Sequence, residues 1–525
     1  MHSFQIDKSS IRTTEPPNRA LDDWHHPRSR SVLISLRAYP KIALYSFALS
    51  LSALLVGYDV VILGSVVALP IFQRDFGEQY GHSSIIPSMW LALWNASSFI
   101  GQMFGAILGG WVQDKKGRRT SLIAGSLVSA AAVAICYTSY LPEDVDARRG
   151  MFLGGKVVMG VALGMLMATT QTIISEIAPP DLRASALALL PTNILLGQFL
   201  GSAAVFALSN DGTRRSYLAA LATQWLFFLL VFIVAVVAPE SPAYFVSNNQ
   251  YSKALRSLAR LHTSRVDLPA MLDQVRHFVI HEEQFFRDKK YFDSFGRRHR
   301  RQTMIVLFAG IIPQLFGLGL LSQSGYFMQT IGMQATLSLA VLSLGIILGL
   351  VANIIGLWTV SKVGRRKLIL ISLTISAFLW FGMGVAGFWS GTATMWYSAG
   401  TFMAVVVVNG LGSWPASYAV AGETSSLLLR GKTQGLNWFA NSLFSGIVSV
   451  ALPLLYNPDA GALGARTGFI LFSLCVVGVF VSWLIIPEMK GRDHAEIERM
   501  FELQVPTRAF KRWSESEDTQ ELRQI

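Results

Sequence analysis

The sequence has few charged residues for its length. Only 14% of its 525 residues are Asp, Glu, Lys or Arg, whereas soluble domains average about 25%. Because 52% of the residues are hydrophobic, a soluble globule of this size would lack the polar groups needed to cover its surface. The composition therefore excludes an ordinary soluble protein and indicates one that crosses a lipid bilayer.

Cysteines and catalytic motifs are also scarce. The two cysteines, Cys136 and Cys475, both lie inside apolar stretches, so no disulfide framework is predicted. The sequence contains no Walker-type glycine loop, metal-ligand cluster or nucleophile elbow. The first 40 residues lack the apolar core of a cleavable signal peptide. We therefore expect no catalytic residues, no cofactor and no metal, and a protein that is not an enzyme.

Long apolar stretches dominate what is present. A membrane-spanning helix needs about 20 mostly apolar residues, and twelve stretches of roughly that length can be found. They predict an all-α membrane protein with twelve transmembrane helices, which we call spans 1 to 12. The stretches lie near 42–66, 88–110, 120–140, 151–173, 184–208, 217–238, 304–325, 335–360, 368–388, 394–421, 433–455 and 468–486.

The basic residues are concentrated in alternate loops. The formal net charge is +12, and clusters of Lys and Arg follow spans 2 and 8 and fill the segment between spans 6 and 7. Loops of the other parity are short and mixed in charge. This asymmetry is the positive-inside signal, so it predicts cytosolic termini and a cytosolic central segment in a multi-pass protein of the plasma membrane. The charge serves topology, and we expect no nucleic-acid partner.

The second half of the chain repeats the first. A spacing of 247 positions separates Gly117-Arg118-Arg119 from Gly364-Arg365-Arg366, Glu176 from Glu423, and Arg183 from Arg430. Pro239-Glu240 and Pro487-Glu488 are 248 positions apart. Parallel six-helix repeats with a central site between them form one known transporter architecture. We therefore expect a cytosolic tail, a six-helix half, a cytosolic linker, a second six-helix half and a cytosolic tail, at 1–40, 41–240, 241–303, 304–488 and 489–525.

The linker between the halves carries a helical apolar pattern. Ala254, Leu255, Leu258 and Leu261 share one face, with basic residues elsewhere on the wheel. This spacing predicts a short amphipathic helix on the cytosolic surface. It could act as a latch on an inner gate, or it could be a basic linker attracted to anionic lipid.

Several short motifs occur in a fixed order along nearly the whole chain. They are Gly57-Tyr58-Asp59, Gly110 to Arg119, Ser175 to Arg183, Pro239-Glu240-Ser241-Pro242 and Pro487 to Arg492. This ordered set resembles the sugar porter family of the major facilitator superfamily, and Ser361-Lys362-Val363-Gly364-Arg365 is similar to a variant found in fungal maltose and α-glucoside permeases. The resemblance implies the major facilitator fold, with two six-helix repeats, and transport of a sugar.

Charged side chains recur at the predicted inner helix ends. Carboxylate–guanidinium pairs are directional and often bidentate, so we expect these residues to bridge the two halves and close the inner mouth. The alternative is that the arginines only mark the cytosolic side. The set comprises Asp114, Arg118, Arg119, Glu176, Arg183, Glu240, Arg365, Glu423, Arg430 and Glu488.

Polar residues inside the spans are candidates for substrate binding, because such residues are costly in a bilayer. The resemblance to sugar porters implies sugar contacts for Gln198, Gln314, Tyr418 and Asn441. Amides can donate to and accept from sugar hydroxyls. The alternative role is hydrogen bonding between helices.

Three residues depart from the hexose-porter pattern, and they reduce the number of amides at the expected site. Pro191, Pro313 and Gly319 stand where many members carry an amide. This favours a larger sugar, a different polyol, or no sugar at all.

An acidic and a basic residue are predicted inside the first half. Asp59 lies within apolar span 1, and Lys156 in span 4 resembles the position where proton-coupled porters carry arginine. We expect Asp59 to bind a proton and to pair with Lys156 after releasing it. The alternative is a static ion pair that only fixes two helices.

The sequence thus predicts a secondary active transporter that imports a neutral sugar, a disaccharide or glucoside or else a hexose, by proton symport with alternating access. Its partners are the sugar, the proton and the lipid bilayer. An uncoupled sugar facilitator and a non-transporting nutrient receptor on the same fold are the alternatives.

Overall fold

The computed structural model of the protein describes most of the chain. The expected N-terminal tail lies largely outside the described residues, as do the last part of the expected C-terminal tail and part of the linker. The described residues are 36–67, 69–80, 83–208, 213–262, 267–283, 295–296, 299–389, 391–425, 429–456, 461, 463–492, 494–510 and 513.

The predicted all-α membrane fold is confirmed, with helices at all twelve expected positions. Spans 1, 6, 7 and 10 are each divided into shorter helices. The spans run Pro40–Ser50 with Ser52–Val67, Ser88–Lys116, Arg118–Thr138, Val145–Ile177, Pro180–Leu208, Arg214–Ala222 with Gln224–Val237, Arg300–Leu315 with Leu318–Ser322 and Ser324–Thr330, Ala335–Lys362, Arg365–Ala386, Thr392–Leu411 with Ser413–Thr424, Arg430–Tyr456 and Gly468–Ile485.

Ten helices in the described part of the chain are long and apolar enough to cross a membrane. Span 2 is not among them, and it carries polar side chains such as Ser97, Ser98 and Gln102 on its buried face. Span 7 is not among them because it is broken at Gly317, whose φ of 94° is strained for other residues. Discontinuous helices are usual where a span borders a central cavity.

Short elements lie outside the spans. An antiparallel hairpin that the sequence did not predict follows span 1 and pairs Glu78 with Ile85. These elements are the helices Pro70–Phe76, Pro242–Ser247, Tyr251–Leu261, Leu268–Glu283 and His494–Glu502, the 3-10 helix Gly464–Thr467, and the hairpin strands Glu78–Tyr80 and Ser83–Ile85.

Glycines allow spans 2 and 4 to touch backbone to backbone. A Cβ on Gly101 or Gly105 would collide with the carbonyl of Val157 or Val161, and one on Gly109 would lie 2.8 Å from the Cα of Met165. Small residues at a spacing of four permit such close approach in membranes. This contact makes the two spans one unit of the first half.

The linker contains the helix Tyr251–Leu261, whose residues Ala254, Leu258 and Leu261 are buried against protein. Its partners belong to the first half. Ser257 donates to the carbonyl of Glu240, and Arg260 donates to the carbonyl of Val237 over 2.7 Å. Just beyond it, the carbonyl of His262 accepts from Lys41 over 2.9 Å. These bonds attach the linker helix to the first half.

Candidate functional site

A buried ion pair joins spans 1 and 4. The ammonium of Lys156 donates to both carboxylate oxygens of Asp59, at 2.7 and 2.8 Å. Each residue is only 3% exposed. Gly155 lets the thiol of Cys136 approach beside the pair. Two charges held this way stabilise each other strongly, and removal of either leaves an uncompensated charge.

At the inner end of the first half, Arg118 and Glu176 form a bidentate pair, at 2.8 and 3.2 Å. The Glu240 carboxylate accepts from the backbone N–H groups of Arg118 and Arg119 at 2.9 and 3.0 Å, so it caps the start of span 3. A Cβ on Gly117 would collide with that carboxylate. Burial raises the pKa of Glu240, although Arg118 and its backbone partners act in the opposite direction.

The second half repeats this arrangement. Arg365 donates to Glu423 over 2.9 Å, and Glu488 accepts from the backbone of Arg365 over 3.1 Å. A Cβ on Gly364 would collide with Glu488. The repeated motif thus encodes one local structure twice. In each half an arginine pairs with a glutamate, and a second glutamate caps the N-terminus of the helix that carries the arginine, next to a glycine that leaves room for it.

The expectation that the arginine–glutamate pairs bridge the halves is wrong. Arg118–Glu176 and Arg365–Glu423 both span 58 positions and stay within one half. Their partners sit on the neighbouring span of the same repeat, which is nearer than the other half. The pairs brace each half internally and cannot themselves lock the halves together.

Other contacts cross between the halves at the inner side. Lys432 donates to Asp114 over 2.7 Å, and Arg430 donates to the carbonyl of Ser175 over 3.1 Å. The amide of Gln113 donates to the carbonyl of Gly431 over 3.1 Å. These contacts close the inner side. Asp114 and Arg430 were predicted, whereas Lys432 was missed because it has no charged counterpart in the repeat.

The inner closure is asymmetric. Shifting Asp114 and Lys432 by 247 positions gives Ser361 and Ser185. There, the Ser185 hydroxyl donates to the carbonyl of Leu357 over 3.0 Å. One side of the closure therefore holds an ion pair, and the equivalent side holds a neutral hydrogen bond.

Three of the four predicted substrate residues lie close together in the second half. Gln314 donates to Ser445 over 2.7 Å, and Ser445 donates to Asn441 over 3.0 Å. Tyr418 and Asn441 line one small cavity between the halves. The remaining residue, Gln198, lines a different cavity nearer the outer side.

Gln171 of span 4 was not predicted, although it spans the inter-half contact. Its amide oxygen accepts from the indole of Trp438 at 2.8 Å and from the amide of Asn437 at 3.4 Å. It also donates to the carbonyl of Tyr418 over 3.4 Å. These bonds form the inner floor of the small cavity. Gln171 is a neutral residue without a counterpart in the repeated motifs, so the sequence carried no signal for it.

Gly319 has a packing reason for its departure from the porter pattern. A Cβ there would lie 2.6 Å from the side chain of Val448 and 3.3 Å from the amide oxygen of Gln314. Span 7 could not carry a side chain at this point without moving away from span 11. Arg183, also predicted, donates to the carbonyl of Ala178 over 3.3 Å within its own half.

This architecture, two six-helix halves braced alike and joined around a central site, defines a transporter of the major facilitator fold. The family described as "Sugar (and other) transporter" matches residues 45–501. The chain belongs to that family, so it is a multi-pass membrane transporter and not an enzyme.

Similar proteins are known over the whole length of the chain. The MFS transporter fmqE of Aspergillus fumigatus is 27% identical, covering 97% of this chain and 95% of its own. The general alpha-glucoside permease of Saccharomyces cerevisiae is 26% identical, covering 96% and 81%. The structure of the MFS proton:xylose symporter XylE bound to 6-bromo-6-deoxy-D-glucose is similar with a TM-score of 0.75 at 19% identity, covering 88% of this chain and 98% of that one.

Proposed function

We propose that this protein imports a neutral sugar across the plasma membrane by proton symport, with a disaccharide or other glucoside preferred to a free hexose. The buried Asp59–Lys156 pair, 2.7 Å apart, is the observation that carries the proposal. Buried ionisable residues inside membrane helices are expensive, and proton relays are one of their main uses.

Neutral hydrogen-bonding groups support a neutral substrate. The small inter-half cavity offers the amides of Gln171 and Asn441 and the ring of Tyr418, and Gln314 lies beside it through Ser445. Amides match hydroxyls that both donate and accept. Two similar proteins, the general alpha-glucoside permease and a maltose permease of Saccharomyces cerevisiae, favour a glucoside.

Coupling would follow from the state of the ion pair. With the inner side closed, a proton entering from outside would add to a carboxylate oxygen of Asp59 and remove its attraction for Lys156. Loss of this bond frees spans 1 and 4 to shift as the halves rock. Once the inner side opens, Asp59 would release the proton to the cytosol and the pair would form again.

The test uses the purified full chain in proteoliposomes, with labelled maltose and glucose and an imposed pH gradient. Asp59→Asn imitates the protonated carboxyl. We expect Asp59→Asn to reduce pH-driven sugar accumulation at least tenfold, while sugar counterflow continues. Lys156→Arg is the matched control, because it keeps the charge and can still pair with the carboxylate.

Each outcome separates one alternative. Accumulation by Asp59→Asn with the wild-type pH dependence would rule out Asp59 as the proton site. Downhill sugar uptake that ignores the pH gradient in the wild type would identify a facilitator. Sugar binding without any uptake would identify a receptor.

A further inference from the structure

A cavity near the outer side of the inter-half contact is lined mainly by hydrocarbon. Its unfilled space, counted together with the open solvent that it adjoins, is about 580 Å³. Both halves line it: Val61 and Leu195 come from the first half, and Leu318, Ile346 and Val406 from the second. Its position between the halves places it on the transport path.

Polar groups in this lining are few. They are the amide of Gln198, the hydroxyls of Ser322 and Ser324, and the indole of Trp414. The Ser322 hydroxyl already donates to the carbonyl of Gly319 over 2.9 Å. A ligand hydroxyl moved here from water would mostly meet hydrocarbon, which is unfavourable. An apolar group would gain from leaving water.

The polar end of a ligand has a different place. Gln314 is 5% exposed, and its amide oxygen is buried without a hydrogen-bond partner among the described residues. Its neighbour Pro313 lines the small cavity, while Leu318, one turn further along span 7, lines the outer one. Gln314 therefore lies between a cavity that carries the amides of Gln171, Asn437 and Asn441 and a cavity whose lining residues are mostly aliphatic.

We infer that the substrate is amphipathic: a neutral glycoside whose sugar binds at Gln314, Tyr418 and Asn441 and whose apolar aglycone, an alkyl or aryl group, fills the outer cavity. This inference rests on the proposed function for its sugar end. It adds that a second sugar ring is a poor occupant of the outer cavity, because that ring would bring hydroxyls to a hydrocarbon wall.

The test is calorimetric titration of the full chain in lipid nanodiscs, with empty nanodiscs titrated to subtract partitioning. The probes are methyl, n-butyl and phenyl α-D-glucoside, with maltose as the hydroxylated comparison. Each buried methylene tightens binding by about fourfold. The three extra methylenes of the butyl glucoside should therefore lower the Kd by about tenfold to sixtyfold, with phenyl glucoside also tighter than maltose.

A pair of variants locates the effect. Ile346→Thr with Val406→Thr puts hydroxyls into the cavity wall and should remove most of the butyl advantage. Ile347→Thr with Val407→Thr changes the adjacent residues, which do not line the cavity, and should keep it.

The outcomes distinguish this inference from the proposed function. Equal affinity for methyl and butyl glucoside, or tighter binding of maltose than of either apolar glucoside, would overturn the inference and leave sugar transport standing. A butyl advantage that survives in the Ile346 and Val406 variant would overturn the assignment to this cavity. Failure of every probe, maltose included, to bind would overturn both.

Discussion

The ion pair that crosses the halves sets a measurable conformational balance. Lys432 and Asp114 lie 2.7 Å apart, with side chains 6% and 14% exposed. Breaking a fully buried pair costs about 3–5 kcal/mol, whereas an exposed pair contributes about 0–1 kcal/mol. Asp114 retains Arg118 at 3.7 Å, so we expect an intermediate effect. Lys432→Met should shift the balance by about 2 kcal/mol, or roughly thirtyfold, toward the state open at the inner side.

Pulsed electron paramagnetic resonance can measure this shift. Spin labels at Lys116 and Lys362 would report the separation of the halves, since both side chains are exposed at inner helix ends. The two native cysteines are buried and should not compete for label. Lys115→Met is the matched control. It removes the same charge as Lys432→Met, but the Lys115 side chain packs over Trp111 of its own span. An unchanged distance distribution in Lys432→Met, or an equal shift in the control, would refute the lock.

Three further predictions concern the equivalent position of the inner closure, the contact between spans 2 and 4, and the docked linker helix. Ser361→Asp with Ser185→Lys should create a second ion pair at the equivalent position and slow uptake severalfold; unaltered turnover would argue against the asymmetry. Gly105→Val must push span 2 away from span 4, so it should lower the unfolding temperature in a thermal melt by an amount corresponding to about 1–3 kcal/mol. Gly154→Val is the control and should leave that temperature unchanged, because a Cβ at Gly154 would have no atom within 4 Å. Burial, assisted by Lys41, lowers the pKa of His262 to about 4, so the docked linker holds a neutral imidazole. Because the undocked pKa is about 6.5, docking should weaken as the pH falls from 6.5 toward 4, and amide exchange in Tyr251–Leu261 should rise over that range in the native protein but not in His262→Gln.

Much of the architecture could be predicted from the sequence, because apolar length and repeated spacing are direct consequences of the bilayer and of duplication. The break in span 7 could not. Its residues before Ser322 form a nearly continuous apolar run, and the positive φ of Gly317, which ends the first of its helices, is not visible in that pattern. The residues of the two arginine–glutamate braces were identified from the sequence but were expected to bridge the halves. Repetition places an arginine and a glutamate in each half and does not say whether an arginine pairs within its own half or with the other one.

The residues that join the halves were harder to predict, because repetition was the signal used to find the network. Lys432 corresponds to Ser185 in the other half, so a search for repeated charges passes over it. Gln171 is neutral and has no special sequence context. Its importance appears only when Trp438, 267 positions away, is brought within 2.8 Å.

The Asp59–Lys156 pair lies wholly within the first half, whereas the bonded Gln314–Ser445–Asn441 chain lies wholly within the second. If the first set couples the proton and the second supplies most of the sugar contacts, coupling and most of the ligand choice lie in different copies of one duplicated unit. Mutations in the second half could then alter the nutrient a cell acquires while the coupling residues are preserved. Chimeric chains joined within the linker would transfer the second-half contacts between relatives, whereas Gln171 of the first half, which also lines the sugar cavity, would stay with the coupling pair.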